Sequence, residues 1–376
     1  SGTTNLTITA TNTAGTTTQA LSIIAGQAPT ITSATAASFS TGTASTFAIT
    51  ATGYPAPTIT EAGTLPAGLT FVDNTNGTAT IAGTPTAGGT YVLAITATNR
   101  TGSANQTLTI TVGQAPKITS ASTVTATAGK TFTFTVTTTG YPQPKVSKTG
   151  SFPLGVLFTA NSNGTATIFG TPLTNGVYPV TITATSTAGT ATQLFSVVVN
   201  QAPAITSAGT AKFSTGTAGS FTIATTGYPP SAIGESGAVP AALSFVDNKN
   251  GTATIAGTPA ATAGGSYVLT VTATNSAGST AQRFTITVTQ PPMITSASTL
   301  NVGLYKSFSF TVTTTGYPKP TLSKTGSLPW GVQFTANNSA TATISGIPFT
   351  SGSYRLTITA TSTTGTTNQS FTMTVR

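Results

Sequence analysis

The chain has 376 residues, of which 38% are apolar and only 5% charged, and it carries a formal net charge of +9. It contains no Cys and no His, which excludes a disulfide framework, a thiol nucleophile, the commonest metal ligands and the usual general base. The 13 basic residues are dispersed, with Lys145 and Lys148, and Lys319 and Lys324, as the closest groupings. A nucleic-acid groove would concentrate cations and interleave aromatics, so nucleic acid is not an expected partner.

In chain order, the start Ser1-Gly2-Thr3-Thr4 has neither the basic region nor the apolar core of a signal peptide, so a secreted origin requires upstream sequence. No apolar run approaches the roughly 20 residues of a membrane span. Residues 1–25 read as the last two strands of an incomplete immunoglobulin-like (Ig-like) domain, because Leu6-Thr7-Ile8-Thr9-Ala10-Thr11-Asn12 lines up with Leu93-Ala94-Ile95-Thr96-Ala97-Thr98-Asn99. Two strands alone cannot bury a core. Either the segment is cut from a longer array, the simpler reading, or another chain supplies the missing strands.

Four complete units follow, 26–112, 113–199, 200–288 and 289–376. They are marked by Thr52-Gly53-Tyr54-Pro55, which returns at Gly140, Gly227 and Gly316, spaced 87, 87 and 89 residues apart. Each unit opens on a Pro-containing junction: Gln27-Ala28-Pro29, Gln114-Ala115-Pro116, Gln201-Ala202-Pro203 and Gln290-Pro291-Pro292. Junctions this short, with Pro fixing φ, predict a semi-rigid rod rather than loosely tethered domains. Domains of about 35–40 Å would then reach about 150 Å with four in line.

Alternation within a unit is strict. Phe132, Phe134 and Val136 point one way and Thr131, Thr133, Thr135 and Thr137 the other. A later strand carries Tyr91, Leu93, Ile95 and Ala97 inward, and the final strand repeats Leu108, Ile110 and Val112 as Phe195, Val197 and Val199, as Phe284, Ile286 and Val288, and as Phe371, Met373 and Val375. A hairpin between Phe71 and Ile81 turns at Asn76-Gly77. The third unit gains two residues between Pro259 and Tyr267, a loop insertion that should leave the flanking strands in register. No segment has a helical period, and seven or so short strands per unit predict an all-β fold of tandem Ig-like β-sandwiches.

The run Leu65-Pro66-Ala67-Gly68-Leu69-Thr70-Phe71, followed by Gly77-Thr78-Ala79-Thr80-Ile81-Ala82-Gly83-Thr84-Pro85, Gly89-Thr90-Tyr91 and Ile95-Thr96-Ala97-Thr98-Asn99, resembles the bacterial "putative immunoglobulin-like" repeat family, related to dystroglycan-type cadherin-like domains. All four units carry the pattern, with drift at Ala242 (for Gly68), Val332 (for Leu69) and Gly346-Ile347-Pro348 (for Gly-Thr-Pro). The resemblance implies a large secreted or cell-surface protein, adhesive or a spacer. Cadherin relatives bind calcium at domain junctions through acidic clusters; the junctions here have no Asp or Glu, so calcium is not carried over. No cofactor or metal is expected.

Charge alternates at one equivalent position, occupied by Glu61, Lys148, Glu235 and Lys324 in successive units. All four acids, Glu61, Asp73, Glu235 and Asp247, fall in the first and third units, so the larger repeat is a pair of domains. Simple duplication of a two-domain segment accounts for this. A sharper reading has Glu61 or Glu235 facing Lys148 or Lys324 of a neighbouring copy and setting register, since exposed pairs worth about 0–1 kcal/mol select rather than hold.

Other constellations are weaker. Asp73-Asn74-Thr75-Asn76-Gly77 looks like a calcium loop but lacks the distal Glu, so a hairpin turn is the better reading. Glu61 with Asp73 has no pocket signature for glycoside hydrolysis. A Lys–Asn isopeptide bond needs an acid near its lysine, and only the third unit holds both. Outward Thr rows are good strand formers on a wet face, with O-linked sugar, ice or polysaccharide contact as lesser readings, and sequons at Asn5, Asn76, Asn99, Asn105, Asn163, Asn250, Asn337 and Asn368 come with so Thr-rich a chain. The functional expectation is a non-catalytic structural or adhesive protein of the cell surface that self-associates into an extracellular filament or stalk, with surface glycan as another partner. The alternatives are a carbohydrate-binding accessory array of a secreted enzyme and a phage or virion surface fibre.

Overall fold

The threonine-rich alternation becomes strand throughout. In the computed structural model, which describes residues 2–376, there is no helix among the described residues. Ser1, the first residue of the opening segment, lies outside them. The chain divides into two compact units, 1–198 and 199–376.

The first unit begins with the hairpin Gly2–Asn12 and Gly15–Ala25, paired antiparallel with Leu6 opposite Leu21. Its apolar residues Leu6, Ile8, Leu21, Ile23 and Ile24 are exposed, whereas the counterparts of the first four in the next domain, Leu93, Ile95, Leu108 and Ile110, are fully buried.

That domain is a sandwich of two four-stranded layers. One layer orders Gln27–Ile31, Ser45–Tyr54, Thr78–Gly83 and Leu69–Asp73. The other orders Ala36–Ser40, Gly102–Ile118, Gly89–Asn99 and Thr58–Ala62, with Ala36–Ser40 parallel to its neighbour. The expected seven or so strands become eight because the opening strand is split between the layers. Inward residues of both layers form the core: Ile49, Ile59, Ile81, Leu93, Ile95, Leu108 and Ile110 are each at most 1% exposed. The inward set on Gly89–Asn99 is the alternate one read from the sequence, while Thr133, Thr135 and Thr137 are exposed. A one-residue slip would put every one of these side chains on the wrong face, so burial fixes the register.

The hairpin with Phe71 opposite Ile81 turns over Asn74–Gly77 rather than on Asn76-Gly77 alone. Thr75 and Gly77 both take positive φ, at 62° and 84°, and the Asn74 N–H donates to Thr78 O at 2.9 Å.

The second unit repeats the plan. In its first sandwich Ala232–Gly237, Gly265–Asn275, Gly278–Ile294 and the parallel Thr210–Ser214 form one layer, and Gly219–Tyr228, Thr252–Gly257 and Leu243–Asp247 belong to the other. The inserted residues stay in the loop before Gly265, where Ala263 tucks in at 5% exposure and its N–H donates to Ala260 O. Ala242, standing where Gly68 has φ 90°, is itself held at φ 67°. A Cβ in that left-handed region costs energy that glycine escapes. Ala242→Gly is therefore expected to stabilise the third domain by about 1 kcal/mol, read as slower hydrogen exchange in residues 200–288.

Candidate functional site

Three features gather the polar side chains that the fold positions: the joints between domains, the charges on edge strands, and an amide clasp on the Gly-Tyr-Pro turn.

Within the first unit no linker separates the two complete domains. Strand Gly102–Ile118 runs unbroken through Gln114-Ala115-Pro116. Its first part pairs with Gly89–Asn99 of one sandwich, and its last part sets Gln114 opposite Tyr141 and Lys117 opposite Thr139 of the next, with a bulge between. The second unit does the same with Gly278–Ile294, which pairs with Gly265–Asn275 and then sets Gln290 opposite Tyr317. The bulge lets Pro sit in a strand without forfeiting a ladder bond.

In the first unit the Tyr of the repeated block closes the joint. The Tyr141 hydroxyl hydrogen-bonds Thr90 Oγ1 of the preceding domain, and Tyr54 bonds Thr3 Oγ1 of the opening hairpin. In the second unit the Gly264 N–H donates to Gln290 Oε1 at 3.2 Å. Each Tyr-Pro bond of the four blocks is cis.

The block is also clasped from within its own domain. Asn99 Nδ2 donates to Gln27 O and to Pro55 O, both at 2.8 Å, joining the first strand to the turn. Asn275 makes the same pair of bonds to Gln201 O and Pro229 O. Both amide hydrogens of the Asn99 sequon are thereby engaged. The second and fourth domains have Ser186 and Ser362 there, which accept a local turn bond from Ala188 N–H and Thr364 N–H; in the fourth, Ser362 Oγ also bonds Thr364 Oγ1, and Thr364 Oγ1 donates to Gln290 O at 3.1 Å where the amide does in the first and third. Reading the sequence for charge passed over this clasp; the Asn/Ser alternation at one equivalent position was its signal.

The four register charges, Glu61, Lys148, Glu235 and Lys324, all lie on the edge strand of their sheet, opposite Ile95, Ile182, Val271 and Ile358 respectively. They alternate in phase with the buried Ile59, Val146, Ile233 and Leu322; Glu61, Lys148 and Lys324 are half-buried and end the inward row of their strands, whereas Glu235 is exposed and Gly237 follows it in phase. Lys148 Nζ turns out to Gly150 O at 2.7 Å and over the Phe152 ring at 5.0 Å, and Lys324 Nζ reaches Gly326 O at 2.8 Å. Glu61 Oε2 is buried without a hydrogen-bond partner. An inward charge at the end of an edge strand is one way sheets avoid indiscriminate edge pairing.

The aspartates tie the two layers together. Asp73 Oδ2 accepts from Ile59 N–H on the opposite layer and Oδ1 from Thr75 N–H. Asp247 repeats this with Ile233 and Lys249 N–H and forms an ion pair with Lys249 Nζ at 3.0 Å. These carboxylates face backbone donors rather than a common centre, and no group of three or more His, Cys, Asp or Glu side chains arranged to hold a metal occurs among the described residues. Partial burial pushes the Asp247 carboxyl upward, but the Lys249 and Ile233 N–H groups and the Lys249 ammonium outweigh it and hold its pKa below the ordinary aspartate value. A carboxylate depressed on folding stabilises above its unfolded pKa, and that stability is lost as pH falls through the folded pKa. Asp247→Ala should thus weaken the third domain at pH 7, with the difference from the parent shrinking once the pH drops below the aspartate range in an acid titration followed by hydrogen exchange.

One concavity of about 370 Å³ is lined by Asn12, Thr16, Thr17 and small neighbours at the opening hairpin's turn, with no ionisable side chain. No helix of the described residues is long and apolar enough to cross a membrane.

Fold and joints define a class: a tandem array of Ig-like sandwich repeats. The chain belongs to the family described as "Putative Ig domain", whose model matches residues 28–113, 115–200, 202–289 and 291–376. Domains of this kind are generally non-catalytic and typical of extracellular or surface proteins. Among solved structures, the chain is similar to an I-band fragment of titin, domains I67–I69, at 15% identity over 69% of this chain and 98% of that one, with a TM-score of 0.48. It is also similar to Sidekick-1 immunoglobulin domains 1–5, at 16% identity over 96% and 83%, with a TM-score of 0.37. An endo-fucoidan hydrolase of glycoside hydrolase family 107 matches at 18% identity over 70% of this chain and 44% of that one, with a TM-score of 0.24. The comparison with curated proteins found no match.

Proposed function

We propose that the chain is a non-catalytic structural and adhesive repeat segment of a cell-surface protein, working outside the cell and self-associating with further copies into a filament or stalk. The observation that supports this most is the shared strand. Where Gly102–Ile118 and Gly278–Ile294 pass from one sandwich into the next, spacing and orientation between the two domains are set by ladder bonds on both sides rather than by a flexible tether. A protein built to span distance benefits from such joints.

Register between copies is assigned to Glu61 and Glu235 against Lys148 and Lys324. The double variant Glu61→Lys, Glu235→Lys should fold normally, because Lys148 and Lys324 already occupy the equivalent position and cap the carbonyl two residues on. It should lower the sedimenting polymer fraction at low salt, and the difference should fade at high salt. Polymer formation identical to the parent at every salt concentration would remove these four residues from the assembly.

A further inference from the structure

The pole of the fourth domain differs from its three siblings in a way that the structural role does not explain. Three loops meet there: Gly303–Lys306, Pro329–Gly331 and Ile347–Phe349. Backbone bonds lock them together, Ile347 N–H to Gly331 O, Phe349 N–H to Trp330 O, and Tyr305 N–H to Pro348 O, each 3.0–3.1 Å. The same scaffold recurs in the second domain, through Thr171 to Gly155, Leu173 to Leu154 and Gly129 to Pro172, and in the first, through Thr84 to Gly68, Thr86 to Ala67 and Gly42 to Pro85. Only the tips change. Ala67, Thr86 and Gly42 of the first domain become Leu154, Leu173 and Gly129 in the second, and Trp330, Phe349 and Tyr305 in the fourth.

The three rings touch and face solvent. Trp330 and Phe349 lie 5.1 Å apart at 47°, and Tyr305 and Phe349 6.1 Å apart at 61°. Trp330 is 77% exposed, Tyr305 64% and Phe349 43%. Tyr305 holds φ 56° where Gly42, Gly129 and Gly216 hold 72–74°, so a ring is kept at a position whose backbone favours glycine. Exposed aromatics on a rigid scaffold, held at a backbone cost, point to a ligand. A domain that follows does not cover this pole: Ala67 and Thr86 stay exposed although the second domain continues from the first.

We infer that Trp330, Phe349 and Tyr305 form a binding platform for an anionic polysaccharide, whose sugar rings stack on the aromatic faces while its carboxylate or sulfate groups meet the surrounding cations. Size argues against a protein partner. Three rings offering at most about 150–250 Å² each fall short of the roughly 800 Å² per partner of a stable interface. Charge argues for an anion. Residues 289–376 contain no Asp or Glu, exposed Lys306 follows Tyr305 directly, and exposed Arg376 has its backbone paired with Leu304 of the same loop and with Val302, the strand residue just before it.

Trp330 is the chain's only Trp, so its emission reports on this site alone. The full chain is titrated with polygalacturonate, dextran sulfate and neutral dextran. Either polyanion should shift the emission, with an affinity that falls as salt rises, while dextran binds at least about tenfold more weakly. In affinity electrophoresis the variant Trp330→Leu, Phe349→Leu, which copies the second domain's Leu154 and Leu173 and keeps all 13 cations, should lose retention by about tenfold or more. Unchanged emission with both polyanions, or retention of the variant equal to that of the parent, would overturn the platform. So would a parent that dimerises in sedimentation where the variant does not, because the rings would then dock a second copy.

Discussion

Phe284→Ala is expected to cost the third domain about 4 kcal/mol, the largest effect of any single change considered. Phe284 is fully buried on the central strand Gly278–Ile294, opposite Leu269, with its ring 5.2 Å from that of Phe221 in the facing layer. Truncation removes the transfer energy of the ring and leaves a cavity that two hydrogen-bonded sheets cannot collapse to fill. Against a typical domain stability of about 5–15 kcal/mol, such a loss should abolish most slow-exchanging amides in residues 200–288. Phe284→Leu is the control. The first domain carries Leu108 at the equivalent place, 1% exposed, so Leu fits this core and should cost less than about 1.5 kcal/mol. Equal losses for Ala and Leu would mean that the ring, not the filled volume, holds the sandwich together. Because several domains unfold in one chain, the readout is local hydrogen exchange rather than a global midpoint.

Asn275→Ala should cost about 2–3 kcal/mol, a large effect for a half-buried polar residue. Its side chain gives up three hydrogen bonds: two from Nδ2 to Gln201 O and Pro229 O, and one accepted by Oδ1 from Ala277 N–H. Gln201, inside the strand Gly189–Ile205, and the Tyr228-Pro229 turn would then each have a carbonyl to satisfy elsewhere. Asn275→Ser, copying Ser186 and Ser362, retains the turn bond and should cost about half as much. Faster exchange should appear first around 201–205 and 226–230, the two segments the amide joins. If exchange there is unchanged in both variants, the clasp is geometry without energetic consequence.

The strand content was legible because one face of every sheet is buried and one is wet. Phe132, Phe134 and Val136 alternate with Thr131, Thr133, Thr135 and Thr137 in the pattern a half-buried strand shows, and the repeats multiply that signal. Turn shape was less legible. The pair Asn76-Gly77 suggested a two-residue turn, but the loop spans four positions, Asn74–Gly77, closed by Asn74 N–H on Thr78 O; the second domain closes the same loop with Asn161 N–H on Thr165 O although Ala160 replaces Asp73. The same limit hid the role of the Gly-Tyr-Pro block. Its period marked the repeat, yet only three dimensions bring Tyr141 to Thr90 and Asn99 to Pro55, partners far away in sequence.

The candidate site divides along the same line. The alternation of Glu61, Lys148, Glu235 and Lys324 was plain from spacing, but spacing says nothing of depth. The lysines turn out to end inward rows and to satisfy Gly150 O and Gly326 O of their own chain. Trp330 was visible as a lone ring beside Pro329. Its companions Tyr305 and Phe349 are 25 and 19 residues away in sequence, so the cluster appears only once three loops are stitched together.

Electron microscopy of the purified chain, over a range of concentrations at low and physiological salt, tests the structural role most directly. Ordered filaments with a regular axial repeat, growing in number with concentration and depleted by Glu61→Lys, Glu235→Lys, are the predicted result. Single particles at every concentration, dispersed whether or not polysaccharide is present, would contradict it.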